Sequence, residues 1–482
     1  MSHVIQLREA IINALPVETS NSGQAPDIKN LYVPPAHVKA LRLDCHLVIG
    51  ARGVGKSVWT AALSNPDLRK ALGSTIKELE YTEVRVGFSE KTNIDAYPDS
   101  DTFSSLLGKY NNNSVLIWKS VVARWVVVYV NFSLPTGTWE ETVEWVQKKP
   151  ENMARLMQDA SQYFADKKKN GLIVFDALDR SSQDWQTMDI IVRGLLQTVL
   201  WLKSFDNLSS KVFLREDQFT RSVTNFPDAS KLQATRTELT WAAHDLHGLL
   251  WQTLINANEL DSQLLRTVYE SETNAALLNK DGVWFLPEEV KRNVSIQRTL
   301  FERLAGPWMG RDKRRGVPYL WAVNHLADGQ GRTSPRSFLA AIRHAAEDSL
   351  ERYSEHSLVL HYESIKRGIQ KASEIRVNEI FEDYYWVQNI MSPLAGLSVP
   401  VEYDQIYEVW KSNYPDGPTS SLMSDGLPPQ HINNDWEGIK EDLIRIGIFT
   451  VRKDGRLDMP DLYRVGFGLG RRGGVKPNLQ AG

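Results

Sequence analysis

The sequence predicts an α/β domain with a mostly parallel sheet, followed by a helical region and a small C-terminal module. Between residues 41 and 217, short apolar runs alternate with helical patterns, which is typical of a three-layer arrangement of strands and helices. From residue 238 to 390 the patterns are helical. After residue 399, two helical stretches precede an alternating segment that turns at Asp454-Gly455.

Composition and charge narrow the class of protein. The chain has 482 residues, 42% of them hydrophobic and 24% charged, so it is expected to fold into roughly three domains. With 56 basic and 59 acidic side chains the net charge is −3, so any nucleic-acid contact must be local. The single cysteine, Cys45, excludes an internal disulfide and fits a reducing compartment. Arg8 and Glu9 interrupt any signal peptide, and the apolar run 121–130 is too short to span a bilayer. We therefore expect a cytoplasmic protein without membrane contact.

Five apolar runs in the first region are predicted as strands. The run 171–177 is apolar at consecutive positions, as expected for a central strand that is covered on both faces. The predicted strands lie within residues 43–50, 84–88, 125–132, 171–177 and 211–217.

The hydrophobic and polar patterns outside these strands predict how the chain divides into domains. Residues 1–30 combine an amphipathic stretch with a polar segment at 18–27, which we interpret as an arm and a flexible connector. Helices are predicted over 238–255, 295–306, 334–353 and 362–390, and the third has Pro335 at its first position. The predicted parts are the arm and linker (1–30), the α/β core (31–237), the helical domain (238–390) and the C-terminal domain (391–482).

The strongest motif lies at residues 50–57, which read Gly-Ala-Arg-Gly-Val-Gly-Lys-Ser. They fit the P-loop pattern G-x-x-x-x-G-K-[ST], directly after an apolar run and before a helical pattern. Glycines let backbone N–H groups turn toward phosphate oxygens, and the helix that follows points its positive end at the same place. Lys56 is predicted to reach the β- and γ-phosphates and Ser57 to hold Mg²⁺. The predicted ATP/ADP-binding residues are Gly50, Arg52, Gly53, Val54, Gly55, Lys56, Ser57 and Val58.

Two acids and an arginine follow later strands. Asp176 comes directly after the buried run 172–175 and is predicted to hold the metal. Asp179, three residues on, either orients the attacking water as general base or caps the following helix. Arg215 ends the run 211–214 and is predicted to stabilise the γ-phosphate. The sequence therefore predicts phosphoryl transfer by Lys56, Asp176, Asp179 and Arg215.

These motifs resemble those of the STAND branch of P-loop ATPases. The sequence Asp176-Ala177-Leu178-Asp179 is similar to the second acidic motif of that branch, whereas AAA+ proteins of the common type have Glu directly after the Asp. Residues 211–215 resemble the STAND sensor-one strand. Arg180 stands where STAND proteins often have a second acid, which implies slow hydrolysis or a role as a trans-acting arginine finger.

A further stretch, residues 328–339, resembles the start of the sensor-two helix of origin-recognition-like ATPases and implies that Arg336 lies near the nucleotide. Helices followed by a hairpin at the C-terminus have the outline of a winged helix. Together these features imply a STAND/AAA+-like P-loop ATPase core, a helical lid and a C-terminal winged-helix domain.

The resemblance also implies a function. It points to a Mg²⁺-dependent ATPase that acts as a nucleotide-gated switch, self-assembles or engages a partner effector protein, and belongs to a bacterial defence or mobile-element system. Two alternatives stay open: a DNA-binding ATPase for loading or remodelling, and a scaffold that binds nucleotide without hydrolysing it.

Two basic segments are candidate partner surfaces. One lies in 310–318 and is either a phosphate-contacting loop or an ordinary solvated loop. Its cations are Arg311, Lys313, Arg314 and Arg315. The other, residues 445–482, has eight basic and three acidic side chains, a net charge of +5 that suits duplex DNA. If DNA stimulates hydrolysis, neutralising Arg471 and Arg472 should remove the effect. His244 and His247 have the i, i+3 spacing of metal ligands but no evident third ligand, so structural or surface roles are expected.

Overall fold

The computed structural model describes residues 2–16, 25–219, 221–422, 427–473 and 475–477, and the chain divides into two compact units. The sheet unit comprises residues 33–240 together with 25–26. The helical unit comprises the N-terminal helix, residues 27–32 and residues 241–477. Most of the predicted connector at 18–27 and the end of the predicted C-terminal domain, residues 478–482, lie outside the described residues.

The helices and strands follow one another along the chain. The α-helices are α1 (Ser2–Ala14), α2 (Pro35–Leu41), α3 (Lys56–Ser64), α4 (Pro66–Gly73), α5 (Ser100–Lys109), α6 (Ser114–Val126), α7 (Trp139–Lys148), α8 (Pro150–Asp166), α9 (Trp185–Leu202), α10 (Arg221–Thr224), α11 (Ala229–Gln233), α12 (Ala243–Leu254), α13 (Glu259–Glu272), α14 (Glu288–Arg292), α15 (Val294–Ala305), α16 (Pro318–His325), α17 (Pro335–Arg352), α18 (Tyr362–Asp383), α19 (Tyr385–Met391), α20 (Tyr403–Asn413), α21 (Pro418–Leu422), α22 (Asp435–Arg445) and α23 (Asp461–Arg464). The strands are β1 (Leu47–Ile49), β2 (Thr82–Phe88), β3 (Asn170–Phe175), β4 (Leu208–Leu214), β5 (Thr237–Glu238), β6 (Leu278–Lys280), β7 (Val283–Phe285), β8 (Ser398–Val399), β9 (Thr450–Val451), β10 (Leu457–Asp458) and β11 (Gly470–Arg471).

The sheet unit is built on a five-stranded sheet with the order β2-β3-β4-β1-β5. Every neighbouring pair in it is parallel, so the predicted α/β core with a mostly parallel sheet is confirmed. Strand β3 is buried at every position after Asn170, as its unbroken apolar run indicates. The edge strand β5 was not predicted because two residues give no periodic signal.

One predicted strand is wrong. The run 125–132 forms the end of helix α6 and a 3-10 turn at Val127–Tyr129. Helix α6 is buried around most of its circumference, and a helix buried on all sides gives the same apolar run as a buried strand. Its Trp118 is fully buried and donates its indole N–H to the carbonyl of Ile191, 2.9 Å away in α9. The aromatic and β-branched side chains of α6, up to Val126, therefore serve helix packing, whereas the 3-10 turn after it has no buried residue.

The predicted helices of the helical unit are present with altered bounds. Helix α17 begins at Pro335 and α15 covers its predicted segment, whereas the predicted helix 362–390 is divided at Tyr384 into α18 and α19. The helix predicted from residue 238 begins only at Ala243, because the preceding residues complete the parallel sheet. The hairpin β6–β7 was not predicted.

The N-terminal helix α1 is fixed to the helical unit by two arginines. It packs on α13 and α17. Arg8 is fully buried and donates to the carbonyl oxygens of Val359 and Leu358, each at 2.9 Å. Arg343 of α17 donates to the carbonyls of Ile12 and Leu15 at the end of α1. Because these carbonyls at a helix end have no partner within the helix, the arginine side chain stabilises the end of α1.

The C-terminal part of the helical unit contains helices α20, α21 and α22, followed by the antiparallel hairpin β9–β10. The predicted turn is present: Gly455 has φ +88° and its N–H donates to the carbonyl of Arg452 at 2.9 Å. Val401 forms an antiparallel bridge with Leu457, which adds backbone pairing to one side of the hairpin. Across the described residues, none of the helices combines the length and apolar character needed to cross a membrane.

Candidate active site

The candidate site lies at the carboxyl edge of the parallel sheet, where the ends of β1, β2, β3 and β4 are neighbours. The N–H of Gly50, just after β1, donates to the carbonyl of Leu214 in β4 at 3.0 Å. The N–H of Asp176, just after β3, donates to the carbonyl of Phe88 in β2 at 2.9 Å. Ligands of open parallel sheets bind in the crevice at this edge. Strand order therefore brings together side chains that are far apart in the sequence.

The loop between β1 and α3 has the shape of a phosphate cradle. Gly53 and Gly55 have φ angles of +78° and +105°, which residues other than glycine rarely adopt. A side chain at Gly50 would place its Cβ 2.7 Å from Cγ2 of the buried Val54. With α3 starting at Lys56, backbone N–H groups of the first turn point at the loop, and the helix dipole favours an anion there.

Lys56 lies at the centre of the cluster. Its Nζ donates to the carbonyl oxygens of Gly50 and Ala51, both at 2.8 Å. Burial, together with the positive charge of Arg215, lowers the pKa of Lys56 to about 8. Three carboxylates act in the opposite direction on this pKa and favour the charged ammonium: Asp176, Asp179 and Asp217.

Ser57 and Asp176 form the oxygen pair expected of a metal site. Asp176 is 3% exposed, and the side chain of Ser57 is hydrogen-bonded to it. Burial raises the pKa of Asp176, while Lys56 and the Ser57 hydrogen bond oppose the rise. A hydroxyl and a carboxylate suit Mg²⁺, which keeps several waters and takes further oxygens from phosphates. The donor set therefore fits a Mg²⁺–nucleotide complex.

The structure brings Asp179 and Arg215 together beyond the ends of β3 and β4. Asp179 lies on the 3-10 turn Leu178–Arg180, which follows Ala177 in a left-handed conformation with φ +54°. Such strained backbone at a non-glycine residue is frequent at functional sites. Arg215 Nη1 is 3.5 Å from Asp179 Oδ2, and Arg215 Nε is 3.4 Å from Asp217 Oδ1. Both carboxylates orient the guanidinium.

The sequence interpretation missed Asp217 and Glu90. Asp217 lies two residues after Arg215 and three after the end of β4, so the rule that site residues follow strand ends could have predicted it. Glu90 comes two residues after β2 and pairs with Arg180 at 2.6 Å. This ion pair joins the loop after β2 to the turn that carries Asp179. Arg180, predicted as a possible trans-acting finger, therefore has a carboxylate partner within its own chain.

The other predicted site residues have different surroundings. Val58 is 39% exposed in the first turn of α3, and Arg52 is partly exposed in the loop. Arg336 belongs to the helical unit, where it pairs with Glu379 at 2.6 Å. The same carboxylate pairs with Arg376 at 3.1 Å. Arg336 therefore has a structural partner in its own unit, and its proximity to a nucleotide stays a prediction.

The two histidines differ in their surroundings: His247 is part of the core, whereas the side chain of His244 is partly exposed. His247 is fully buried, stacks on Tyr319 with ring centroids 4.0 Å apart, and has Nε2 2.9 Å from the Tyr319 carbonyl oxygen. Burial lowers the pKa of His247 to about 3. In the ranges that the structure describes, no three His, Cys, Asp or Glu side chains group as metal ligands.

No protein-family model and no curated protein sequence matches the chain. Among solved structures, that of the Aeropyrum pernix ORC2 protein, described as ADPNP–ADP complexes, is 11% identical and covers 90% of this chain and 93% of that chain with a TM-score of 0.31. A likeness of this size does not establish a common fold. The α/β P-loop core is therefore assigned from the sheet order and the loop geometry of this chain.

Proposed function

We propose that the chain binds ATP together with Mg²⁺ and hydrolyses it. The observation that supports this most is the convergence of Lys56, Ser57 and Asp176 at the carboxyl edge of the sheet, around a glycine loop with left-handed backbone. A cradle of backbone N–H groups, an ammonium and a hydroxyl–carboxylate pair together match a triphosphate with a divalent cation. Few other ligands need all three.

Each side chain has a distinct role in the proposed reaction. Lys56 would leave the loop carbonyls and bind phosphate oxygens, and Ser57 with Asp176 would hold Mg²⁺, which neutralises the charge of the phosphates when bound. Asp179 would orient a water and accept its proton as the water oxygen attacks the γ-phosphorus and the bond to ADP breaks. Arg215, held by two carboxylates, would stabilise charge on the γ-phosphoryl oxygens.

Replacing Asp179 with Asn tests the hydrolytic part of the proposal. Asn keeps the size of the side chain but does not accept a proton, so kcat should fall by about 100-fold or more while nucleotide affinity stays within a few-fold. Steady-state phosphate release and equilibrium ATP binding measure the two effects. The matched control is Asp44→Asn, which alters an exposed carboxylate in the same unit and should change neither.

The same experiment separates hydrolysis from the alternative of a scaffold with bound nucleotide. A scaffold predicts that wild type and Asp179→Asn have equal, negligible turnover with intact binding. Loss of ATP binding in Asp179→Asn would instead assign Asp179 to the binding site and leave the general base to another carboxylate, of which Asp217 is adjacent.

We further propose that nucleotide binding gates assembly, with the helical unit as a lid and α20, α21, α22 and the β9–β10 hairpin as a winged helix. The order of three helices and a hairpin, with Val401 bridged to Leu457, supports the winged helix. The predicted setting in bacterial defence or mobile elements rests on the resemblance alone. The assembly formed by the purified chain should have a larger mass with ATP than with ADP. Equal masses with the two nucleotides would contradict gating by nucleotide.

Duplex DNA as a partner of the C-terminal segment has less support than its sequence suggests. Five of the eight basic side chains of this segment pair with aspartates of the helical unit; of these, Arg464 is fully buried and Arg471 bonds to Asp458 and Asp461. The arginines of this segment that pair with aspartates are Arg445, Arg452, Arg456, Arg464 and Arg471. Neutralising Arg471 would therefore perturb the fold and would not test DNA binding.

A further inference from the structure

A second feature of the helical unit lies outside the candidate active site. Residues 310–316, here called the basic loop, connect α15 to α16 and present four exposed cations within five positions. These are Arg311, Lys313, Arg314 and Arg315. The single acid among them, Asp312, accepts a hydrogen bond from the N–H of Arg314 at 2.8 Å and starts a 3-10 turn. Four cations and one acid give the loop a net charge of +3.

The backbone of the basic loop is closed on itself. The N–H of Met309 donates to the carbonyl of Gly316 at 2.9 Å, and the N–H of Arg315 donates to the carbonyl of Asp312 at 3.2 Å. Gly310 and Gly316 have φ angles of +145° and +96° at the two ends, which glycine adopts without strain. A closed backbone loses less conformational entropy when its side chains bind a partner.

The cations of the basic loop differ from other cations of the helical unit in having no carboxylate partner among the described residues. Arg298 is 2.6 Å from Glu302 and Arg303 is 3.3 Å from Glu272, so each has a carboxylate partner. Within the part of the chain that the structure describes, no carboxylate lies within ion-pair distance of the four basic-loop cations. This segment therefore concentrates positive charge that the fold leaves uncompensated.

We propose that the basic loop binds the phosphate backbone of nucleic acid, independently of base sequence. Three of its four cations are arginines, whose planar guanidinium matches phosphate oxygens in pairs. Protein interfaces have apolar or aromatic anchors at their centres. Among residues 306–319, all described, the large apolar side chains are buried or, like Trp308, only partly exposed, and the first exposed one is Leu320 in α16. A surface of four exposed cations without an exposed apolar anchor fits a polyphosphate better than an acidic protein.

The proposal goes beyond ATP hydrolysis, and the binding measurement that tests it is made without ATP. Binding of a fluorescein-labelled 30-base-pair duplex DNA is followed by fluorescence anisotropy between 50 and 200 mM salt. The test variant replaces all four cations by Gln: Arg311→Gln, Lys313→Gln, Arg314→Gln and Arg315→Gln. The control variant removes equal charge from paired, exposed cations of the same unit: Arg292→Gln, Arg298→Gln, Arg303→Gln and Lys371→Gln.

Each phosphate contact adds about 0.9 to the slope of log affinity against log salt. We therefore expect the slope of the test variant to be smaller than that of wild type by about 3 to 4, while the control keeps nearly the wild-type slope. Thermal unfolding and ATP turnover of both variants should match wild type, which separates this proposal from the ATPase. Absence of duplex binding by wild type at 50 mM salt, equal slopes in both variants, or equally tight loop-dependent binding of labelled polyglutamate would overturn it.

Discussion

Replacement of Lys56 by Ala is expected to lower kcat/KM for ATP by about 1000-fold or more. Charge stabilisation by one preorganised donor contributes on the order of 100- to 1000-fold to phosphoryl or acyl transfer, and Lys56 is expected to contact phosphates in both ground and transition states. Phosphate release and equilibrium ATP binding measure the loss. Unchanged ATP affinity in this variant would remove the basis of the proposed function.

The fold should survive this substitution. Among the described residues, Lys56 donates hydrogen bonds to carbonyl oxygens of its own loop, at Gly50 and Ala51. The melting temperature is therefore expected to stay within a few degrees of wild type. Lys70→Ala is a matched control, because Lys70 is exposed on α4 and its loss should alter neither binding nor turnover.

The pH dependence of ATP binding checks the same side chain. The pKa of Lys56 is lowered to about 8, and a phosphate anion favours the charged ammonium, so binding should take up a proton above this pH. ATP affinity is then expected to be constant well below pH 8 and to fall as the pH rises through 8. Lys56→Arg keeps its charge over this range and should remove the decline. A decline of equal size in wild type and Lys56→Arg would assign it to another group.

The conformation of the glycine loop, with a strand before it and a helix after it, could be predicted from the sequence because its signals are local. The left-handed backbone of Gly53 and Gly55, the strand before them and the helix after them all lie within about twenty residues. Asp176 was found for the same reason, since it ends a buried strand. The contacts of Glu90 with Arg180 and of Asp217 with Arg215 depend on which strands are neighbours, and that order is set by packing of the whole unit.

Helix α6 and the basic C-terminal segment show two further structural features that the sequence pattern does not predict. A run that is apolar at consecutive positions has no periodicity, so 125–132 could not be assigned to helix or strand by pattern alone, and it crosses from the buried end of α6 into a turn where Val128 is 66% exposed. A count of basic residues likewise does not tell which of them pair. Arg471 meets Asp458 and Asp461 across ten or more positions, and that pairing appears only once α23 and the hairpin are folded.

Replacement of Arg464 by Leu is expected to have the largest effect on stability. Arg464 is fully buried, donates to Asp461 Oδ1 at 2.8 Å and to the carbonyl of Leu469 at 2.9 Å, and also donates to the carbonyl of Val475. Removing it leaves a buried carboxylate with fewer partners, which costs about 3–5 kcal/mol. Hydrogen exchange of the amides over 461–475 should show the loss as at least a hundredfold drop in protection.

The exposed Arg472 provides the matched control, because Arg472→Leu removes the same charge eight residues away without a buried partner. Its effect should stay within about 0.5 kcal/mol. If Arg464→Leu were equally harmless, the arginines of this segment would not be held by the fold, and their charge would be available to DNA as the sequence suggests. A large loss confined to Arg464→Leu would instead mean that the C-terminal segment needs its arginines to fold. Among the described residues of the helical unit, the basic loop would then have more unpaired cations than this segment.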